Sequence, residues 1–223
     1  THIKWSFDKD SPGTAGMFLK ARGIYNGSQY FLKMSSYNSV DKVYGYECAF
    51  EIVAQRVADL LGLRHLRYYL VKARVSVDGY EFITYVAVSK DYRVVNETRV
   101  SFELLYQSKS NVPSTVEFIL SEFMQPYLHE LLGMLVLDYI IYNRDRHSAN
   151  IEFLYNTKTK QYRLAPLLDH GCCLTSVLFN NWSNETSGYY LSDKPVNNCI
   201  GSFSLLNNLQ NICKGRVYFC GGT

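Results

Sequence analysis

Apolar and polar positions follow two different rhythms along this chain, short alternating runs in the first third and three-to-four spacing in much of the rest. Positions 17–22 and 30–34 read as two strand-like segments either side of Asn26-Gly27, a dipeptide that favours a tight hairpin turn. The turn-rich stretch Asp10-Ser11-Pro12-Gly13-Thr14-Ala15-Gly16 leads into them. Across 44–61, Ala49, Val53, Val57, Leu60 and Leu61 recur at helical spacing, which predicts an amphipathic helix stopped at Gly62. Segments 67–77 and 80–88 are rich in Val, Tyr, Ile and Phe and flank Asp78-Gly79, so a second hairpin follows the helix. Together these elements predict a small antiparallel sheet with one helix over residues 1–90.

After Ser89 the rhythm changes. Stretches 116–123 and 128–142 predict helices, the second apolar nearly all round and therefore buried. Positions 151–155 and 162–168, joined by a polar turn at 156–160, form a third hairpin. The charged cluster 143–150 then lies in the loop between a core helix and that hairpin. Beyond Gly171 the chain is rich in Asn, Ser and Gly, with a weak helical signal at 203–212 and no clear organisation. Residues 91–223 are thus expected to form a second, mainly helical part, and the whole is α+β.

Composition narrows the setting. With 223 residues, 47% of them hydrophobic and 19% charged, the chain buries a sizeable core. Its 23 Lys and Arg against 20 Asp and Glu leave a net charge of +3, scattered singly, which argues against direct nucleic-acid binding. The longest apolar run, Leu131 to Leu137, ends at Asp138, far short of the ~20 residues a membrane-spanning helix needs. No signal-peptide pattern follows Thr1, so a cytoplasmic address is the default expectation, with export as an effector the other reading. The six cysteines form no C-x-x-C pair and read as reduced thiols. His170 beside Cys172 and Cys173 is the cluster nearest to a zinc set, but structural zinc ligands are normally paired two to four residues apart.

Candidate chemistry lies in the second part. Asp145 and Asn150 stand five apart in a loop, and Asp169-His170-Gly171 follows at the far end of the hairpin. Phosphoryl transfer needs a carboxylate near the acceptor hydroxyl, and an amide oxygen with a second carboxylate to hold Mg²⁺ against a triphosphate. A loop, a tight hairpin and a second loop bring Asp145, Asn150 and Asp169 to one edge of a sheet. Upstream, Lys33 in Tyr30-Phe31-Leu32-Lys33-Met34 is placed to reach phosphates, and Glu51 on the following helix to hold its ammonium. Lys20 in a similar Phe-Leu-Lys setting competes with Lys33, and Glu47 competes with Glu51. Ser11, Gly13, Thr14 and Gly16 supply backbone N–H groups that can lie over phosphates. Each has an ordinary reading as well: a solvated helix-capping loop, an edge-strand lysine, a solvent-facing helical glutamate and a plain turn.

The motifs carry a family resemblance. Asp145-x-x-x-x-Asn150 has the spacing of the protein-kinase catalytic loop, and Asp169-His170-Gly171 resembles its D-F-G element. The fuller string Asn143-Arg144-Asp145-Arg146-His147-x-x-Asn150, followed by Arg163-Leu164-Ala165-Pro166-Leu167-Leu168-Asp169, resembles the HipA-like serine/threonine kinases more closely than the eukaryotic ones. Tyr30-Phe31-Leu32-Lys33, Glu51 with Val57-Ala58-Asp59-Leu60-Leu61-Gly62-Leu63, and Ser89-Lys90-Asp91-Tyr92 extend the likeness over most of the chain to Gly171. Within the family it is closest to the short, single-chain members. The chain departs from kinases in having no G-x-G-x-x-G, in His170 for the aromatic of D-F-G, and in only 52 residues after Gly171.

The resemblance implies a two-lobed protein-kinase-like fold with a cleft for ATP and Mg²⁺. It implies Asp145 as catalytic base or orienting carboxylate, Asn150 and Asp169 as metal ligands, and Lys33 as a phosphate contact. It further implies transfer to a Ser or Thr hydroxyl of a protein, autophosphorylation, with Ser11 a candidate target, and a toxin-type relationship to an antitoxin-type protein partner. Two alternatives remain at this stage. One is a small-molecule or lipid kinase, of which a lipid kinase would show a basic membrane-facing patch, and no such cluster is visible; the other is a pseudokinase or toxin-antitoxin binding module, which would share the fold without turnover.

Overall fold

A computed structural model describes residues 5, 18–38, 40–174 and 196–213 of the chain. Two hairpins build the first sheet. Strands β1 (Lys20–Tyr25) and β2 (Ser28–Met34) pair antiparallel with Lys20 opposite Lys33. Strands β5 (Tyr68–Val77) and β6 (Tyr80–Lys90) pair with Lys72 opposite Tyr85, and two-residue strands β3 (Tyr37–Asn38) and β4 (Lys42–Val43) form a small hairpin between the two pairs. Asn26 and Asp78, at φ 47° and 52°, take the left-handed turn geometry that Asn-Gly and Asp-Gly permit. The order β1-β2-β6-β5 places β2 inside the sheet, so Lys33 is not an edge-strand residue. The first strand starts at Lys20, three residues later than the hydrophobic pattern suggests.

Helix α1 (Glu47–Leu60) packs on one face of that sheet. Its first turn has no side-chain cap; instead the Glu47 carboxylate accepts from Ser36 N at 3.0 Å and Ser36 Oγ at 2.6 Å, which pins the helix start to the end of β2. Its end closes with Gly62 N donating to Asp59 O and Leu63 N to Ala58 O, both terminal carbonyls being satisfied by the reversing chain. Cys48 and Ile52 of α1 pack with Leu66, Tyr68, Ala87 and Leu168, which shows that even positions of β5 and odd positions of β6 face the helix. Val75, Val77, Val86, Met34 and Leu19 form a second core on the opposite face.

The remainder is helical around a second small sheet. Strand β7 (Glu97–Ser101) leads into α2 (Phe102–Lys109), capped by Ser101 Oγ accepting from Leu104 N at 3.2 Å. Helix α3 (Thr115–Leu120), a 3₁₀ segment Glu122–Tyr127 containing Pro126, and α4 (Leu128–Ile140) follow. The hydrophobic spacing at 116–123 continues through the Ser121 break because both short pieces bury the same face; Phe118, Ile119 and Met124 are all in the core. Two-residue β8 (Asp145–Arg146) and a 3₁₀ turn Ser148–Asn150 come next, then β9 (Glu152–Asn156) and β10 (Tyr162–Leu164). Sheet order β10-β9-β7 makes the predicted hairpin part of a three-stranded sheet, since β7 pairs antiparallel with β9. Beyond Gly171, β11 (Asn197–Asn198) pairs parallel with β8 and α5 (Leu205–Cys213) packs on α4. No helix among the described residues is long and apolar enough to cross a membrane.

Candidate active site

A buried arginine assembles the site. Arg146 is 0% exposed and forms a bidentate pair with Asp138 of α4, Nε and Nη2 each 2.8 Å from a carboxylate oxygen. Its Nη1 donates to Asn150 O at 2.8 Å and to Leu168 O at 3.1 Å. Asn143 Nδ2 donates to the same Asp138 carboxylate at 2.8 Å. One guanidinium therefore ties the end of α4, the loop 143–150 and the residue before Asp169 into a single unit. Arg146 and Asp138 form the structural centre that the motif spacing does not reveal; the signal available was a carboxylate inside an apolar helical run, which needs a buried partner.

Asp145, Asn150 and Asp169 are thereby brought to one region. Asn150 Nδ2 donates to Asp145 O at 2.9 Å, while its Oδ1 is buried and has no hydrogen-bond partner among the described residues. Asp145 Oδ1 accepts from Asn197 Nδ2 at 2.5 Å, and His147 Nε2 lies 3.7 Å from Oδ2. Asn197 arrives through the β8-β11 pairing, more than fifty residues downstream in a stretch with no readable pattern. Asp169 has φ 58°, a left-handed conformation that an aspartate tolerates and that functional sites often hold.

Lys33 crosses to this group from the sheet. Its Nζ donates to Glu51 Oε1 at 2.8 Å and makes a short contact with Asp169 Oδ1. Glu51 Oε2 accepts from His170 N at 2.9 Å, so one carboxylate holds both the sheet lysine and the backbone after Asp169. Glu47 is engaged with Ser36 instead, and it is Glu51 that meets the lysine. Burial alone would pull the Lys33 ammonium down, but the Asp169 and Glu51 carboxylates hold it well above the usual lysine range. Burial works against the Asp169 carboxylate too, yet Lys33 and Lys20 keep it below its usual range. Lys20, paired across from Lys33 and 4% exposed, is a second buried cation in this field, and its burial lowers its own affinity for the proton. Gly171 comes so near α1 that a Cβ there would stand 3.1 Å from Glu47 O and 3.3 Å from Glu51 Oε1.

The remaining motif residues fall elsewhere. Asp91 binds Arg93 through Nε and Nη2, and Tyr92 donates to Glu152, so that motif clasps the second sheet. Ser11, Gly13, Thr14 and Gly16 lie outside the described residues. No group of three or more His, Cys, Asp or Glu among the described residues could hold a metal, the His170-Cys172-Cys173 stretch included. The oxygen set of Asp169 with the unpartnered Asn150 Oδ1 does suit a hard cation such as Mg²⁺, which commonly takes one or two protein oxygens and completes its shell with phosphates and water.

A sheet lysine is thus bound both to a carboxylate on the helix behind it and to an aspartate from the second part of the chain, and the α+β fold that holds them is kinase-like. The chain is similar to the serine/threonine-protein kinase CtkA of Helicobacter pylori strain J99, with 28% identity over 162 residues, 68% of this chain and 48% of CtkA. The crystal structure of the H. pylori proinflammatory kinase CtkA superposes with a TM-score of 0.59 at 23% identity, covering 77% of this chain and 62% of that one. HipA from Shewanella oneidensis MR-1, solved with HipB and operator DNA, matches with a TM-score of 0.50 at 12% identity over 90% and 55% of the two chains. No protein-family model matches. The chain spans about half the length of the curated relative it matches.

Proposed function

We propose that the protein is an ATP- and Mg²⁺-dependent serine/threonine protein kinase. The observation that carries this reading is Lys33 bridging Glu51 and Asp169, three residues from three separate elements, beside the unpartnered Asn150 Oδ1. Lys33 contacts the phosphates and Glu51 keeps its ammonium pointed into the cleft. Asp169 and Asn150 hold the metal, which when bound supplies positive charge against the phosphate oxygens. Lys33 and Asp169 neutralise one another in the structure; nucleotide binding exchanges that contact for phosphate oxygens on the lysine. Asp145 orients the attacking hydroxyl, with Asn197 fixing its carboxylate. Catalysis on this scheme rests on positioning and electrostatics, which is what a loose phosphoryl-transfer transition state requires.

A protein hydroxyl is the proposed acceptor, the chain's own Ser or Thr residues included, and the likeness to HipA makes an antitoxin-type protein the proposed partner. The test is transfer of labelled γ-phosphate from ATP with Mg²⁺ to the protein itself and to a generic Ser/Thr substrate. Incorporation in the wild type that is lost in both Asp145→Asn and Asp169→Asn is expected. Metal-dependent ATP binding without incorporation would leave a pseudokinase, and no nucleotide binding at all would sink the reading.

A further inference from the structure

Between the start of α1 and the helix-facing side of β5 and β6 lies a second concavity of ≈ 300 Å³. None of the residues assigned above to phosphate, metal or hydroxyl lines it. Ser35 and Cys48, both buried, form its floor, while Tyr44, Tyr46, Leu70 and Tyr85 stand around it between 42% and 52% exposed. A volume near the lower end of ligand pockets, ringed by large apolar side chains, fits one bulky side chain and the backbone that carries it. Along the helix-facing side of β5, Leu70 is followed by Lys72 and Arg74, opposite Tyr85 and Ile83 of β6. Both cations are exposed and neither has an ion-pair partner among the described residues. The carboxylate on the same face of β6, Glu81, sits opposite Ser76 toward the hairpin tip, and Glu47 is turned to Ser36. Among the described residues strand β5 is also an edge of its sheet, the side on which an extended chain can pair.

We propose that this concavity docks a short segment of a partner protein in which an aromatic side chain is flanked by carboxylates. The ring fills the cavity and the carboxylates meet Lys72 and Arg74, so shape and charge select the same ligand. The floor of the cavity adjoins the cleft: Cys48 Sγ donates to Lys33 O at 3.1 Å and Ser35 Oγ accepts from Cys48 N at 3.0 Å. An occupant therefore clamps the first turn of α1 against β2 and holds Glu51, one turn on, at Lys33. This second effect rests on the kinase reading; the docking itself does not.

The test is fluorescence anisotropy of a labelled peptide, Glu-Asp-Phe-Glu-Tyr-Glu-Glu, titrated with the full chain in the absence of nucleotide. Saturable binding is expected, weakened about tenfold or more by Leu70→Glu, by the pair Lys72→Glu and Arg74→Glu, and by alanine at both peptide aromatics. The substituted side chains are exposed, so thermal melting of the variants should match the wild type. Failure to saturate, equal binding by the variants, or equal binding of a Lys-flanked peptide would overturn the proposal. A concentration-dependent dimer dissolved by Leu70→Glu would also overturn it, by giving the face to a second copy of the chain. Peptide binding in the expected pattern by a protein that transfers no phosphate would uphold the docking site and remove only the kinase reading. Where ATP binds, its affinity should rise about threefold with peptide present; an unchanged affinity would overturn the coupling.

Discussion

Asp138 and Arg146 are each 0% exposed, and the energetics of such a pair are asymmetric. Removing one partner strands the other charge in the core, whereas removing both replaces a costly desolvation with apolar packing. Arg146→Met should therefore lower unfolding free energy by about 3–5 kcal/mol in urea titration, and combining it with Asp138→Leu should recover much of that loss. The two glutamates of α1 separate in the same residue-level way. Glu51→Gln removes a charge from Lys33 and should raise the ATP dissociation constant about tenfold by calorimetry, while Glu47→Gln, which touches Ser36, should leave it within about threefold. From the chain alone both glutamates lie one helical turn apart on the same stripe, so periodicity has no means of choosing between them. Their partners, Ser36 and Lys33, lie outside the helix, and only packing assigns them.

Elements meet closely where Gly171 passes α1. A methyl group at that position has to displace a backbone carbonyl, and the helix start cannot yield without moving Glu51. Gly171→Ala should thus weaken ATP binding more than it lowers the urea midpoint, the opposite order from an ordinary core substitution; a variant unchanged in both would show that α1 shifts freely. The hairpins and the first helix were legible because turn dipeptides and three-to-four spacing are local signals. Strand β7 was not, since Glu97-Thr98-Arg99-Val100-Ser101 has a mixed pattern and acquires its conformation by pairing with β9. The two-residue pairing of β8 with β11 is wholly a tertiary event, and it is what brings Asn197 to Asp145.

Across the whole molecule the cysteines report on how the core is closed. Cys48, Cys172, Cys173, Cys199 and Cys213 are free thiols, and burial pushes Cys172 and Cys199 up to about 12, with Cys48, Cys173 and Cys213 also raised. At pH 8 such thiols stay almost wholly protonated and therefore poorly nucleophilic. Among these five, iodoacetamide should label Cys213 at the end of α5 first, and the others only in urea, as read by mass spectrometry; rapid native labelling of Cys173 would contradict the packed core. Taken as a bare string, the residues determine an α+β chain with two hairpins around a helix, a buried helix before a charged loop, and the Asp145, Asn150 and Asp169 spacing, because each is written in neighbours within about twenty positions. The tertiary structure alone decides that Lys33 sits inside the sheet, that Glu51 rather than Glu47 meets it, that Arg146 is a buried strut, and that Asn197 flanks Asp145. Those contacts join separate elements, up to 52 positions apart for Asp145 and Asn197, and they form only when apolar burial has already brought the elements together.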